Sequence, residues 1–327
     1  MATLSPQQIA VLEYILTGHG SAVIEAVAGA GKTYTLIEIL KAIKNSDVLF
    51  CAFNKAIANE ITDRIEPIGI DCKVSTIHAL GFAAYRNIQK RVKVDGFKLN
   101  NIARSEFTGE YADLQSFAIA ATDMAKQVGL GVLKDENNDN NWYEMCEHFS
   151  LFDSLPDKYT TDRGIDAARY LLNASNNLMN IVDFSDMIYM PILRKARVQQ
   201  YDYILLDEAQ DTNSTRRALV KMMLKPQGRL IAVGDPHQAI YGFTGADSDS
   251  LAMIKEEFNA VTLSLSVTFR CPKSIVTVAN QWVNHIEAHD SAPDGIVDSC
   301  DYQDIAKVAT KDDAIICRLT KPLVELA

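Results

Sequence analysis

The sequence has no apolar run long enough to span a bilayer, and its first residues lack the basic-then-apolar pattern of a secretory signal. It has no C-x-x-C pair. Its six cysteines (Cys51, Cys72, Cys146, Cys271, Cys300 and Cys317) lie far apart, which argues against a zinc site or a disulfide framework and for thiols in a reducing compartment. It has no excess of positive charge. The net charge is −10, so the usual electrostatic footprint of a nucleic-acid-binding chain is missing, although an acidic chain can still hold a strand in a local groove. It has no internal repeat. What remains is ordinary: 327 residues, 48% apolar and 23% charged, enough chain for two compact domains with their own cores. The expectation is a soluble intracellular protein without a membrane partner, in cytoplasm or nucleus, or a viral protein acting in a host cell.

Short apolar runs ending in polar clusters, most of them followed by a helical pattern, organise the chain. Ser21 to Val27 leads into Gly29-Ala30-Gly31 and a helix-like stretch from Lys32 to Ile43. Asp47 to Ala52 precedes a second helical stretch from Asn54 to Ile65; Tyr203 to Leu206, Arg229 to Val233 and Val261 to Leu265 are further runs. Such alternation predicts an α/β fold, a parallel sheet flanked by helices on both faces. From about Asn87 to Asn180 the rhythm breaks into helices without intervening strands, with an exposed polar tip at Lys134 to Asn141. This stretch reads as a helical insertion. Ala314 to Cys317 reads as a new strand, ten residues before the last one.

Two motifs carry chemistry. Ala26-Val27-Ala28-Gly29-Ala30-Gly31-Lys32-Thr33 is a P-loop with alanine where the plain pattern has its first glycine. Backbone N–H groups must face phosphate there, and small residues let the chain turn around it. Lys32 would reach the β- and γ-phosphates of ATP, and the Thr33 hydroxyl would ligate Mg²⁺. The second motif is Tyr203-Ile204-Leu205-Leu206-Asp207-Glu208-Ala209-Gln210-Asp211, a buried strand delivering adjacent carboxylates to its C-terminal edge. Asp207 can hold the metal's water shell while Glu208 polarises an attacking water. Alone, such a pair also fits a solvated strand end or a helix cap; with a P-loop upstream it is an ATPase signature.

The wording of the motifs is similar to that of UvrD/Rep-type superfamily 1 DNA helicases. Asp207-Glu208-Ala209-Gln210-Asp211-Thr212-Asn213 resembles their Walker B motif, Val233 to Phe243 their motif III, and Thr268-Phe269-Arg270-Cys271-Pro272 their motif IV. Leu4-Ser5-Pro6-Gln7-Gln8 resembles the Q motif, Phe53-Asn54-Lys55-Ala56 motif Ia, and Ser75-Thr76-Ile77-His78-Ala79 motif Ib. Asp183-Phe184-Ser185-Asp186 fits the segment that returns from the insertion, in wording that leans toward the F-box helicase branch and similar phage enzymes.

The resemblance implies a RecA-like P-loop NTPase domain with a helical insertion subdomain: motor residues 1–86 and 181–294, insertion 87–180, and the start of a second motor domain at 295–327. It implies Mg-ATP bound by Gln8, Ala28, Gly29, Ala30, Gly31, Lys32, Thr33, Tyr34 and Phe269, with Thr33 and Asp207 on the metal. Lys32, Glu208, Gln238 and Arg270 are implied as catalytic. Asn54, Lys55, Thr76 and His78 would contact DNA phosphates, and a base would stack on Phe243, which by itself fits a core position equally. Thr244 stands where UvrD and Rep have arginine, and motifs V and VI have no counterpart. The expected activity is ATP hydrolysis coupled to 3′-to-5′ movement on single-stranded or partly duplex DNA, by a fragment or with a protein partner supplying the second motor domain. The alternative is an ATP-gated DNA-binding module without efficient turnover. A phosphotransferase such as a kinase has no use for Gly234-Asp235-Pro236-His237-Gln238.

Overall fold

In a computed structural model, which describes residues 4–239, 249–317 and 319–326, the apolar runs become strands of one sheet. The chain opens with α1 (Pro6–Thr17), β1 (Ala22–Ala26), α2 (Lys32–Ala42), β2 (Val48–Ala52), α3 (Lys55–Ile65), β3 (Lys73–Thr76) and α4 (Ile77–Ile88). Side chains set several helix starts: Ser5, Asn54 and Thr76 each accept a backbone N–H at the first turn of α1, α3 and α4. At α1 the cap is reciprocal, Ser5 with Gln8, and Pro6 opens the helix where its missing N–H costs nothing.

Beyond α4 come the short strand β4 (Lys93–Val94) and four helices: α5 (Lys98–Glu106), α6 (Gln115–Val128), α7 (Asp139–His148) and α8 (Thr161–Asn177). The chain returns through β5 (Ile181–Val182), which pairs in parallel with β4, and α9 (Asp186–Leu193). The expectation of helices without strands is corrected there: two-residue strands carry no apolar run, and each exists through its partner.

The second half runs β6 (Tyr201–Leu206), α10 (Ser214–Met222), β7 (Leu224–Gly234), α11 (Ser250–Glu257), β8 (Val261–Leu265), β9 (Val267–Thr268), α12 (Lys273–Val283) and β10 (Glu287–Ala288). Short helices α13 (Ile305–Val308) and α14 (Thr320–Leu326) follow. The strand expected at Ala314–Cys317 is not formed; residues 313–317 are neither helix nor strand, and Ile316 is 91% exposed. A strand needs a ladder partner, and no described segment supplies one.

The main sheet has the order β3-β2-β6-β7-β1-β8, with every pairing parallel. Parallel strands are covered on both faces, and β2 is buried at every position. One face packs on α1, α2 and α3 through Val11, Ile15, Leu36, Ile39, Leu40 and Ile61. The other packs on α9, α10 and α11 through Ile188, Leu219, Val220, Leu251 and Ile254. A third cluster around Phe117, Trp142, Ile165 and Leu172 fills the helical part and reaches Tyr85 of α4 and Tyr189 of α9.

The junction with the helical part is charged. Lys98 of α5 and Lys126 of α6 are buried against Asp183 and Asp186, with Lys98 Nζ 2.6 Å from Asp186 Oδ2 and Lys126 Nζ 2.7 Å from a carboxylate oxygen of each aspartate. Four buried charges in opposite pairs offset the large cost of taking each from water. Parallel strands also bring all their C-terminal ends to one edge, and there the expected site residues gather.

Candidate active site

The P-loop leaves β1 at Ala26, which is buried and still in the strand. Only Gly29 (φ 76°) and Gly31 (φ 81°) in the loop take left-handed backbone, so alanine at the first position costs nothing. A Cβ on Gly29 would come within 2.6 Å of Thr268 Oγ1 and Arg270 Cβ, and Phe269 N–H donates to Gly29 O at 2.9 Å. The loop is thus seated on the segment that carries Phe269 and Arg270. Phe269 is half exposed and its ring lies 4.9 Å from that of His289. Gly31 meets Gln8, whose Nε2 donates to Thr35 Oγ1 at 3.1 Å while its Oε1 accepts from Ser5 N–H. Lys32 and Thr33 then open α2, with the helix's positive end toward the loop.

From β6 the chain delivers the acidic pair. Glu208 has φ 48°, rare for a residue with a side chain, and this turns its carboxylate to Lys32, Nζ to Oε2 3.0 Å. Gln210 Nε2 donates to the same oxygen at 2.9 Å, and Gln210 Oε1 accepts from Asp235 N–H at 3.1 Å. Asp235 in turn accepts from Gln238 Nε2 at 2.7 Å. A Cβ on Gly234 would lie 2.4 Å from Gln210 Oε1, so glycine there permits the contact. An unbroken polar chain therefore runs from Lys32 through Glu208, Gln210 and Asp235 to Gln238. Asp207 is pushed up to about 6 by burial and by Glu208 beside it.

On the far side of the acidic pair lies a cleft of about 150 Å³, lined by Phe53, Ile77, His78, Asp207, Glu208, Asp211 and Arg216. His78 is pushed down to about 4 by burial and then by Arg216, so its ring is neutral at pH 7. A larger cavity, about 490 Å³, lies between the ends of β1, β7 and β8, with Glu25, His237 and Glu287 on its wall and neither Lys32 nor Thr33. Mg²⁺ keeps several waters and takes one or two carboxylates plus phosphate oxygens. Asp207 with Thr33 is a donor set of that kind, and among the described residues no group of three or more His, Cys, Asp or Glu forms a protein cage.

Residues 4–259 match a protein family described as the UvrD/REP helicase N-terminal domain. This chain belongs to the UvrD/REP helicase family. Similar curated proteins are the ATP-dependent DNA helicases PcrA of Staphylococcus epidermidis and Staphylococcus aureus, each 26% identical and covering 84% of this chain and 39% of the relative. PcrA of Leuconostoc citreum is also 26% identical, over 84% of this chain and 38% of its own length. The chain thus spans about two fifths of the length of these relatives.

In this UvrD/REP member the residues expected to hold nucleotide come together: Gln8, the loop from Ala28 to Tyr34, Asp207, Glu208, Phe269 and Arg270 share one end of the sheet. Of those expected to touch nucleic acid, Asn54 and Thr76 spend their side chains as caps, accepting from Ile57 N–H and Ala79 N–H, while Lys55 is exposed in the first turn of α3. Phe243, with Thr244, lies outside the described residues. Sequence reasoning passed over Gln210, Asp211 and Arg216. Gln210 sits inside a quoted motif, two residues past Glu208; Arg216 announces itself only as a cation in the first turn of a helix.

Proposed function

We propose that this chain is the ATP-binding motor domain of a helicase or translocase that couples Mg-ATP hydrolysis to 3′-to-5′ movement on single-stranded or partly duplex DNA. The polarity rests on family resemblance. The observation that carries the reading is the polar chain from Lys32 through Glu208 to Gln238, which ties the P-loop to the motif III segment. The P-loop amides, Lys32, Thr33 and Asp207 would hold Mg-ATP, which supplies a phosphoanhydride and a cation to offset phosphate charge. Lys32 exchanges Glu208 for phosphate, and the freed Glu208 carboxylate takes the proton of the attacking water. Phe269 offers a half-exposed face to the base; Gln8 keeps one N–H and one lone pair beyond its cap for the base edge. Arg270 stands exposed beside Gly29, placed to meet charge that develops at the phosphate.

The division into motor residues 1–86 and 181–294, a helical insertion at 87–180 and a second motor domain from 295 is part of the proposal. So are a protein partner completing the second motor domain and an intracellular location; no helix among the described residues is long and apolar enough to cross a membrane. The second reading, an ATP-gated DNA-binding module without efficient turnover, is favoured by Glu208 being bonded to both Lys32 and Gln210.

Steady-state ATPase activity with and without single-stranded DNA tests both, beside Glu208→Gln. The expected outcome is DNA-stimulated turnover that falls at least about 100-fold in E208Q while Mg-ATP binding persists. Binding without turnover in the unaltered chain supports the second reading, and no nucleotide binding sinks both.

A further inference from the structure

Two adjacent arginines at the start of α10 are treated very differently. Arg217 is buried and bonded: Nε to Glu257 at 3.0 Å, Nη1 to Thr212 O and Nη2 to Ser214 Oγ. Arg216, partly buried, has one side-chain bond, from Nη1 to Asp211 O at 2.6 Å, and its Nε is enclosed with no acceptor. Nearby, Asp211 Oδ1 is enclosed with no donor, and the two groups are not paired with each other. Arg216 also stands in the first turn of a nine-residue helix, where the backbone already presents positive charge and a cation is disfavoured. A guanidinium whose Nε lacks an acceptor at that pole is costly to the fold, and it adds to the helix end a field that suits an anion.

Arg216 faces two openings. One is the 150 Å³ cleft shared with Asp207 and Glu208. The other, about 170 Å³, lies between α4, α9 and α10 and is lined by His78, Gln127, Ser185, Asn213 and Thr215, with Phe184 and Ile188. Every lining side chain of this second cleft except Arg216 is uncharged, since His78 is neutral at pH 7.

We propose that Arg216 binds a backbone phosphate of the single strand in the cleft between α4, α9 and α10, and that it, not His78, supplies the positive charge there. This rests on the motor-domain reading above and deepens it. Phosphate completes the guanidinium's donors, and His78 contributes at most a neutral hydrogen bond beside it. Because Arg216 also borders the acidic pair's cleft, the same side chain stands between the strand and the hydrolytic carboxylates.

The test is the salt dependence of single-stranded DNA affinity for the unaltered chain, Arg216→Gln, Arg216→Lys and His78→Gln, with Mg-ATP affinity and thermal melting measured alongside. Losing one phosphate contact should reduce the slope of log affinity against log salt by about 0.7 in R216Q. H78Q should keep the full slope. R216K should also keep it while binding more weakly at fixed salt, because lysine lacks the planar fork; this arm decides the matter should R216Q not fold. R216K binding as tightly as the unaltered chain, an unchanged slope in folded R216Q, or a reduced slope in H78Q overturns the proposal. A loss of Mg-ATP affinity with the DNA slope intact would place the phosphate in the nucleotide and overturn it too. If the unaltered chain binds no DNA, the motor-domain reading falls and this inference with it.

Discussion

At the scale of single residues, the site is a set of buried charges that keep incomplete company. Asp211 is held up to about 6, chiefly by burial and then by Glu208, against the pull of Arg216. Its folded value lies above the unfolded one, so the folded chain binds the extra proton between roughly pH 4 and 6, and stability falls as pH rises through that window. Asp211→Asn removes that loss. Measured in EDTA, it should melt about 2 °C above the unaltered chain at pH 8, and the gap should close toward pH 4. Lys32, Thr33, Asp207 and Glu208 were legible in the sequence because their spacing is itself the chemistry. Asp211 and Arg216 were not: their importance comes from which partners the fold withholds, and no spacing records that.

At the scale of elements, two predictions turn on how helices begin and how closely they approach. Ser5 and Gln8 cap α1 reciprocally, so Ser5→Ala should lower stability by about 1 kcal/mol in urea unfolding. Gly81 of α4 passes so near α9 that a Cβ would lie 2.2 Å from Met187 O, a backbone atom that cannot swing aside. Gly81→Ala should therefore cost about 1–3 kcal/mol in the same assay, through displacement of one helix from the other. The strands β1, β2, β6 and β7 were readable as apolar runs because both faces of a parallel sheet are covered, whereas the edge strand β8 was readable only because it carries Val261, Leu263 and Leu265, three of its five positions being exposed. β3 was not, since Lys73-Val74-Ser75-Thr76 is an edge strand with little apolar surface to bury. Ala314–Cys317 looked like a strand by composition alone, but composition supplies no partner.

At the scale of the whole molecule, Lys98, Lys126, Asp183 and Asp186 decide how the helical part is held against the sheet. Burial drives the Lys98 ammonium below its ordinary value in spite of Asp186, so this junction leaves little tolerance for a missing partner. Lys126→Met leaves Asp183 without a cation and Asp186 with Lys98 alone, and should cost about 3–5 kcal/mol in urea unfolding. The α/β architecture and the run of helices between α4 and β6 were plain from the broken strand-helix rhythm. The charged junction was hidden: Asp183 and Asp186 stood out only as part of one segment, and nothing in the sequence pairs them with Lys98 and Lys126 far up the chain. The same helical part bears on how the chain is born. β2 and its neighbour β6 are pairing partners, Phe50 beside Leu205, yet the whole helical part is synthesised between them. On the ribosome, the fully apolar β2 must wait with an open edge until β6 emerges, a period in which it is open to mispairing. Helices rich in local contacts form quickly, and the β4–β5 ladder at their base draws the two ends of the helical part together. A long loop is thereby closed before the central strands must find each other.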